Sequence, residues 1–446
     1  MYTQAMSQID PLMQSDEDPV VALVKMAAGP LALARYPVVE VMRTCALHTQ
    51  PHSRSPLRAP FNTLYASARR WTHADRDIVT PANDFLYLNA WIDLSNGPVM
   101  LDIPPVEDAR YFVIELLDAF TNNFTNLGPR NVGTRGARVV LHAPGQQPSG
   151  DGTPVACPTA LVGLLGRVLV QADSDLPRAR EAAVGFRLSG PRSEGPQCVR
   201  EWGENDCESG DAALDFFQHV FDSFADLPPR ADEAAAFSML LRAGLREHGR
   251  TDVSALREKV QHGLRRAYAD AQGLLLAFTE SRTRRNWVYS LELGRYGHAH
   301  LLRACIAMKG LGALASEEAV YATADFDDAG EHLHGTRRYS LYFAPGQLPP
   351  VDALWSLSLY GADRYFVDNP IRRYAIGDRT PGLQYDADGG LRIVIQHDAP
   401  ADARANWLPA PADGFYLILR FYHPQAAFLE GRYAIPPVHK LSDANA

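Results

Sequence analysis

The chain has 446 residues, of which 46% are hydrophobic and 21% are charged, and its formal net charge is −9. This length fits two or three domains, and the composition provides enough apolar residues for a full core. Nucleic acids and anionic membranes bind basic faces, so the acidic balance argues against both kinds of partner. We therefore expect a globular protein with neither nucleic acid nor membrane as a partner.

Three features favour a cytoplasmic location. Residues 1–19 have neither the basic nor the apolar stretch of a secretory signal. There is no run of 18 apolar residues that would predict a membrane span. The five cysteines are odd in number and scattered, which is typical of free thiols in a reducing compartment. Cys198 and Cys207 are close enough in sequence to form a bridge, and reduced thiols in a loop are the alternative.

The first part of the chain predicts helices over residues 1–55 and a β domain over residues 56–190. Apolar residues recur at helical spacing on both sides of Tyr36-Pro37, where the proline predicts a break. The apolar run 158–170 fits a buried strand or a buried helix. Three further runs are rich in β-type residues and are bounded by Pro, Gly or Asn: 98–104, 110–120 and 138–145.

Residues 188–210 lack any periodicity and predict a long loop, after which residues 211–315 predict a helical insert. Apolar side chains recur at spacings of three and four over about seven turns from Val253 to Phe278, a stretch that includes Leu274. Such a stripe is typical of a helix packed on a core. The residues that we expect to be buried in this insert are Phe217, Phe221, Val260, Leu264 and Phe278.

The last part of the chain, residues 325–446, predicts a second β domain. In 391–396, Leu391, Ile393 and Ile395 share one face, which is the pattern of a strand with one face on a core. In 415–422, one face likewise carries Phe415, Leu417, Leu419 and Phe421. The predicted fold class is therefore α+β and dominated by β-structure. It consists of two antiparallel β-sandwich domains with a helical insert between them.

Six long stretches of the chain carry a resemblance to a known family: 75–95, 110–134, 293–313, 338–360, 368–380 and 406–411. Through them the sequence resembles the family that joins domain of unknown function 1254 to domain of unknown function 1214, and the similarity covers nearly the whole chain. The resemblance implies two jelly-roll-like sandwiches, with the first domain at 56–190 and the second at 325–446.

One segment departs from the pattern of that family. Where the family carries Asn-Val-Asp-Thr, this chain has Ala82-Asn83-Asp84-Phe85, and where it carries two small hydroxyl residues this chain has Leu88-Asn89. If this segment lines a pocket, the pocket is bulkier and more apolar than in relatives.

No standard catalytic motif occurs in the sequence. There is no G-x-S-x-G, P-loop, G-x-G-x-x-G, C-x-x-C or H-E-x-x-H. Two His-x-His pairs occur. His332 and His334 would share a face if they lie in a strand, but no Glu follows them as a third ligand. His298 and His300 fall at a predicted helix start, where their side chains diverge, and they are weaker candidates. We expect no metal and no cofactor.

The first β domain contains a set of polar and aromatic residues that could form a site. Asp84 and Asp118 could act as acid and base if they meet, with Tyr87 as a further catalytic candidate. Trp91 and Asn122 are substrate-binding candidates beside them.

The second β domain contains another such set. An arginine pair beside a tyrosine could grip a carboxylate by bidentate hydrogen bonds. A structural network that fixes turns is the alternative. The binding candidates in this set are Arg372, Arg373, Tyr374, Trp355, Asn406 and Trp407.

Two functional hypotheses follow. The first is a protein that binds a small organic, carboxylate-bearing compound in a cleft between the two sandwiches. In its catalytic form this protein is a metal-independent hydrolase or lyase. The alternative is a non-catalytic scaffold or ligand-binding protein that forms a homo-oligomer. The sequence itself names neither substrate nor reaction.

Overall fold

The computed structural model describes residues 18–107, 110–148, 150–200, 202, 210–246, 250–282, 287–402 and 405–441. Four β-sheets form two sandwiches, and a group of helices packs against the first sandwich. The fold class predicted from the sequence is confirmed. Cys207 lies outside the described residues, and the four described cysteines are buried and form no disulfide among themselves.

The first described helix is α1, Pro19–Thr49, which is capped by the Asp18 side chain at the Val20 amide (2.9 Å). The predicted break at Tyr36-Pro37 is wrong, because the helix continues through both Pro30 and Pro37. A proline inside a helix costs about 3 kcal/mol, and the contacts of a largely buried α1 offset that cost. By length and composition alone α1 could cross a membrane, and a core helix meets the same test.

The first sandwich contains nine strands and one helix, and the ambiguous run 158–170 forms one of the strands. Its inner sheet has the order β1-β2-β8-β4-β5 and its outer sheet the order β7-β6-β3-β9. One apolar core fills the space between them. The elements are β1 Tyr65–Ala66, β2 Phe85–Asp93, β3 Val99–Pro105, β4 Phe112–Asp118, β5 Asn123–Leu127, β6 Arg135–His142, β7 Thr153–Ala156, β8 Leu161–Leu169, α2 Leu176–Gly185 and β9 Arg187–Ser189.

Helices follow the first sandwich, as the sequence predicts. The described part of the predicted loop 188–210 contains one helical turn, α3. Helix α1 packs against α4, α5, α6 and α7, and their shared core also receives Trp91 and Phe120 from the first sandwich. The elements are α3 Gln197–Arg200, α4 Ala212–Asp222, α5 Ala234–Ala243, α6 Glu258–Arg282 and α7 His300–Lys309.

The second sandwich has an inner sheet of order β10-β16-β12-β13 and an outer sheet of order β15-β14-β11-β17. The alternating residues of 391–396 and 415–422 meet in its core as predicted. The elements are β10 Ala319–Ala324, β11 Tyr339–Phe343, β12 Val351–Gly361, β13 Ala375–Gly377, β14 Leu391–Gln396, β15 Asn406–Pro409, β16 Phe415–Pro424, α8 Ala426–Leu429 and β17 Val438–Lys440.

The two sandwiches are a structural repeat. Strands β2 to β9 and strands β10 to β17 follow each other in the same order and make the same pairings. Even the single parallel pair of each outer sheet recurs, as β6 with β7 and as β14 with β15. The repeat assigns each residue of one inner sheet an equivalent in the other.

Four of the five residues predicted to be buried in the helical insert are buried, and Phe278 is only half-buried. Leu274, which the helical stripe included, is 51% exposed, and Leu275 is buried in its place. A repeat of three and four residues does not match the 3.6 residues of a helical turn, so over a long helix the predicted apolar stripe moves away from the buried face. The pattern therefore predicts burial less well near the end of the helix.

Candidate functional site

The inner sheets of the two sandwiches face each other. Strand β16 buries both of its faces: Leu417 and Leu419 enter the second core, while Ile418 and Tyr422 pack toward the first sandwich. Strand β2 is buried along its whole length for the same reason. The interface between the repeats is therefore where a cleft can form.

A cavity of about 650 Å³, the interdomain cavity, lies between these two sheets. Its walls come from β2 and β8 of the first repeat and from β10 and β16 of the second. Helix α7 and the following residues 309–313 close one side. Most of the lining is aromatic or aliphatic, which is the usual make-up of a pocket for a small molecule.

Equivalent strands carry the same pair of side chains into this cavity. In the first repeat, Tyr87 on β2 lies opposite Arg167 on β8. In the second repeat, Tyr321 on β10 lies opposite Arg420 on β16. All four residues line the cavity, so each repeat supplies one such pair of facing tyrosine and arginine.

The residue that accepts a hydrogen bond from each arginine differs between the repeats. Arg167 donates from Nη1 to Oε2 of Glu115 on β4 (2.7 Å), and both side chains are buried. At the equivalent position of β12 stands Ser358, whose Oγ accepts from Nη1 of Arg420 (3.0 Å). The positive charge of Arg167 is thus neutralised by a carboxylate, while a neutral hydroxyl stands beside Arg420.

Arg420 is 3% exposed, and among the described residues it forms no ion pair with Asp or Glu. Its second hydrogen bond runs from Nη2 to the Thr80 carbonyl (2.7 Å). Both terminal nitrogens carry a further hydrogen. The guanidinium also interacts with the Tyr360 hydroxyl and lies 5.6 Å from the centroid of the Tyr360 ring. These partners are neutral, and a buried charge without a countercharge is costly.

Tyr321 and Tyr422 of the cavity remain neutral hydrogen-bonding groups. Burial raises the pKa of Tyr321 to about 12, and burial likewise raises the pKa of Tyr422. The Tyr87 hydroxyl accepts from the Ala82 amide (2.8 Å), whereas the buried Tyr321 hydroxyl has no hydrogen-bond partner among the described residues. Tyr321 can therefore still donate to a bound molecule.

A second cavity, of about 360 Å³, adjoins the first and shares the wall formed by residues 78–79 and 310–312. It is lined by His48 of α1 together with Asn89, Trp91 and Asp118. Nδ1 of His48 accepts from Nε1 of Trp91 (3.2 Å), so the proton of the neutral ring is on Nε2. This Nε2 has no described partner.

Burial lowers the pKa of His48 from 6.5 to about 4. Because the unfolded chain then binds the proton more tightly than the folded one, stability is complete above pH 6.5 and falls as the pH drops toward 4. The loss amounts to about 3 kcal/mol at 1.36 kcal/mol per unit. We expect His48→Gln to reduce the loss of unfolding free energy between pH 7 and pH 4.5, as measured by urea titrations.

The matched control is His262→Gln, since His262 lies exposed on α6. It should follow the wild type at both pH values. Equal acid sensitivity of the His48 variant and the wild type would show that His48 is not held neutral by the fold.

Asp118 is held within a turn at the end of β4. Its Oδ1 accepts from the amides of Phe120 (2.9 Å) and Asn122 (2.8 Å), and its Oδ2 accepts from the Asn122 side chain (2.8 Å). Burial raises the pKa of Asp118. Thr121, in the same turn, has a positive φ of 65° and a buried hydroxyl without a described partner. The turn combines backbone strain with a carboxyl group at the second cavity.

The predicted acid–base pair of Asp84 and Asp118 is not brought together. Asp84 lines neither cavity, and its Oδ1 instead accepts from Nη2 of Arg379 (2.8 Å). Nη1 of the same arginine binds Asp378 (2.7 Å). Asp84 therefore contributes to an ion-pair network that links the two repeats. Tyr87 and Trp91 also separate, since Tyr87 lines the interdomain cavity and Trp91 lines the second one.

The predicted arginine clamp of the second domain lies away from both cavities. Arg372 is exposed in a turn with a φ of 49°, and Arg373 donates to the Trp407 carbonyl (2.8 Å). The Tyr374 hydroxyl bonds to Nδ1 of His73 (2.8 Å). Neither Asp84 nor Arg372 lines either cavity, so these cavities do not bring the two predicted sets together.

The other candidates of that set have structural contacts. Trp355 packs in the second core, and Nε1 of Trp407 donates to the Gln396 carbonyl (2.9 Å). Asn406 accepts from the Gln384 amide (2.9 Å) and donates to its carbonyl (2.7 Å). These contacts fit the structural network that the sequence left open as the alternative.

The functional candidates that the sequence analysis missed are Arg420, Arg167 and His48. Arg420 carried a visible signal, because it is the single charged residue within the strand-like run 415–422. A charge in such a run points either to solvent or to a second buried surface, and only the packing of β16 decides between them. Nothing local marks His48.

The comparisons with known proteins agree with this architecture. The model of the family described as Protein of unknown function (DUF1254) matches residues 61–190, which hold the first sandwich. The model of the family described as Protein of unknown function (DUF1214) matches residues 318–426, which hold β10 to β16. Together the matches span more than half of the chain. A comparison with curated proteins gives no match.

Solved structures are similar in fold. The crystal structure of a Vibrio parahaemolyticus protein is similar with a TM-score of 0.68 at 21% identity, covering 94% of this chain and 100% of that one. That of an uncharacterised Burkholderia cenocepacia protein has a TM-score of 0.47 at 12% identity, covering 96% of each chain. At such identity the first likeness shows a shared fold.

Proposed function

We propose that this chain, which belongs to the family joining a DUF1254 domain to a DUF1214 domain, binds a small organic anion in its interdomain cavity. The anionic group, a carboxylate or a group of similar charge and geometry, pairs with Arg420. The rest of the molecule lies against the apolar walls.

The observation that carries this proposal is the difference between the two repeats at one position. The carboxylate of Glu115 neutralises the charge of Arg167, whereas the hydroxyl of Ser358 leaves the charge of Arg420 without a countercharge. Because the folds of the two repeats are the same, the first repeat serves as a reference for what the second lacks. A ligand carboxylate would supply the missing charge by charge-assisted hydrogen bonds.

The remaining lining agrees with an anionic ligand of modest size. Arg364 and Lys309 also line the cavity, and Asp325 is the carboxylate among the described lining residues. The excess positive charge favours an anion over a cation. A volume of about 650 Å³ is within the range of ordinary small-molecule pockets.

A chemical step on this ligand needs an acid or a base at the cavity. Burial raises the pKa of Asp325, which keeps this carboxyl group protonated to higher pH than usual. A raised pKa in a pocket is typical of a general acid. Asp325 is therefore our candidate for the acid of a metal-independent hydrolase or lyase, the enzyme hypothesis raised by the sequence.

We expect Arg420→Met to weaken the binding of anilinonaphthalene sulfonate, a fluorescent anion with an apolar body, by about 10- to 100-fold. A hydrogen bond to a charged group contributes about 1.5–3 kcal/mol, and 1.4 kcal/mol corresponds to a factor of ten. Binding of N-phenylnaphthylamine, the neutral analogue, should change by no more than about twofold. Fluorescence titration measures both affinities.

Two further variants serve as controls. Ser358→Glu gives the second repeat the carboxylate of the first and should also abolish the preference for the anion. Arg392→Met removes an exposed arginine of the outer sheet that pairs with Asp386, and it should change neither affinity. Equal losses of both dyes in Arg420→Met, or a wild type that binds neither dye, would contradict the proposal and favour the scaffold hypothesis.

A further inference from the structure

A second cluster of polar side chains lies outside both cavities, between α5 and α7. Asp232 is in the turn that precedes α5, and His300 is the first residue of α7, with His298 two residues earlier. Oδ2 of Asp232 lies 3.2 Å from Nδ1 of His298 and 3.1 Å from Nε2 of His300. One ligand atom from each of the three residues lies within 4.8 Å of the other two.

We infer that Asp232, His298 and His300 form a binding site for a divalent transition metal, with zinc as the best fit. Zinc prefers imidazole nitrogen and carboxylate oxygen, at about 2.0–2.2 Å. In a tetrahedral site such bonds place neighbouring ligand atoms about 3.3 Å apart. The two distances to Asp232 are close to that separation. Three protein ligands leave the fourth position open to water or to another small ligand.

The neighbouring charges bear on this site. Nη2 of Arg230 also contacts Oδ2 of Asp232 (3.1 Å), so a bound metal must displace that guanidinium. The side chain of Arg230 is partly exposed, and its guanidinium lies 4.9 Å from the centroid of the Phe120 ring. Arg230 is therefore a competitor of the metal.

The other His-x-His pair lacks the third ligand. His332 packs on the ring of Phe326 (4.2 Å between centroids), and Nδ1 of His334 is bonded to Oγ1 of Thr336 (3.0 Å). Within the described part of the chain, neither residue belongs to a group of three close His, Cys, Asp or Glu ligands. The sequence favoured His332 and His334 over His298 and His300 as metal-ligand candidates, whereas the structure favours His298 and His300. Asp232 is 66 positions from His298, so sequence spacing did not reveal it.

The position of this site connects it to the cavities. Helix α7 begins at His300, and its later residues line the interdomain cavity (Leu302, Ile306) and the second cavity (Ala307, Met308). A metal held by His300 and Asp232 would fasten the beginning of a helix whose later residues line both cavities.

The experiment is a calorimetric titration of Zn²⁺ into tag-free protein that has been dialysed against a chelator. We expect one zinc ion per chain. His300→Ala and Asp232→Asn should each lower the affinity at least about tenfold, since each removes one of three ligands. The Co²⁺-loaded protein should show the intense visible absorption of a tetrahedral site, and Asp232→Asn should lose it.

Two variants distinguish a metal site from a hydrogen-bonded cluster. Arg230→Gln removes the competitor and should raise the zinc affinity, a gain that damage to the fold would not produce. His332→Ala removes a histidine of the other pair and should leave the affinity unchanged. Absence of zinc binding at millimolar concentration, or binding that Asp232→Asn and His300→Ala leave intact, would overturn the inference and identify the cluster as hydrogen bonds alone.

Discussion

Replacing Arg35 by alanine is expected to destabilise the protein by about 3–5 kcal/mol, because the change leaves a buried carboxylate without its partner. Arg35 lies in the middle of α1 with no exposed surface. It donates to both carboxylate oxygens of Glu233, from Nε (2.8 Å) and from Nη2 (2.6 Å). Three more hydrogen bonds bind it to the segment after α4, at Ser223 Oγ, Leu227 O and Pro228 O.

The measurement is urea unfolding followed by tryptophan fluorescence, read on the transition that includes the helices. Arg43→Ala on the same helix is the control, since Arg43 pairs with Glu40 at the surface and such pairs contribute at most about 1 kcal/mol. Replacing both Arg35 and Glu233 by methionine should recover part of the loss, because no unpaired charge then remains. A loss under about 1 kcal/mol for Arg35→Ala would contradict a buried ion pair.

Truncating Leu264 or Phe221 to alanine is expected to cost about 2–5 kcal/mol each, the range for large side chains in a core. Leu264 of α6 has no exposed surface, and Phe221 of α4 is 6% exposed. Both belong to the core that α1 shares with the other helices. Removal of either side chain leaves a cavity that the surrounding helices can fill only in part.

The same urea titrations measure these losses. Leu276→Ala is the matched control on α6, because Leu276 is 54% exposed and should change stability by less than about 0.5 kcal/mol. If Leu264→Ala and Phe221→Ala also changed stability by less than about half a kcal/mol, the helical core described here would be wrong.

Local patterns determined much of the fold. The alternation in 391–396 placed Leu391, Ile393 and Ile395 on the core side of β14, because successive side chains of a strand point to opposite faces. Helical spacing placed Val260 and Leu264 in the core for the corresponding reason. Such patterns record which neighbours along the chain share a face, so they predicted the two sandwiches and the helices between them.

Patterns of this kind are weaker where packing overrides local preference. Pro37 predicted a helix break, yet α1 continues through it because its contacts with α4 to α7 offset the cost. The regular spacing of three and four residues likewise misplaced Leu274 near the end of α6.

The tertiary structure alone decided which distant residues meet. Arg35 and Glu233 are 198 positions apart, and no spacing rule connects them. The second face of β16 is buried only because another sheet packs on it, and this packing makes Arg420 a buried cation at a cavity instead of a solvated one. The comparison of Ser358 with Glu115 likewise requires the strand register of both repeats. The sequence specifies faces of strands and helices through short-range geometry, whereas charges are paired or left unpaired by contacts between faces that are far apart in the chain.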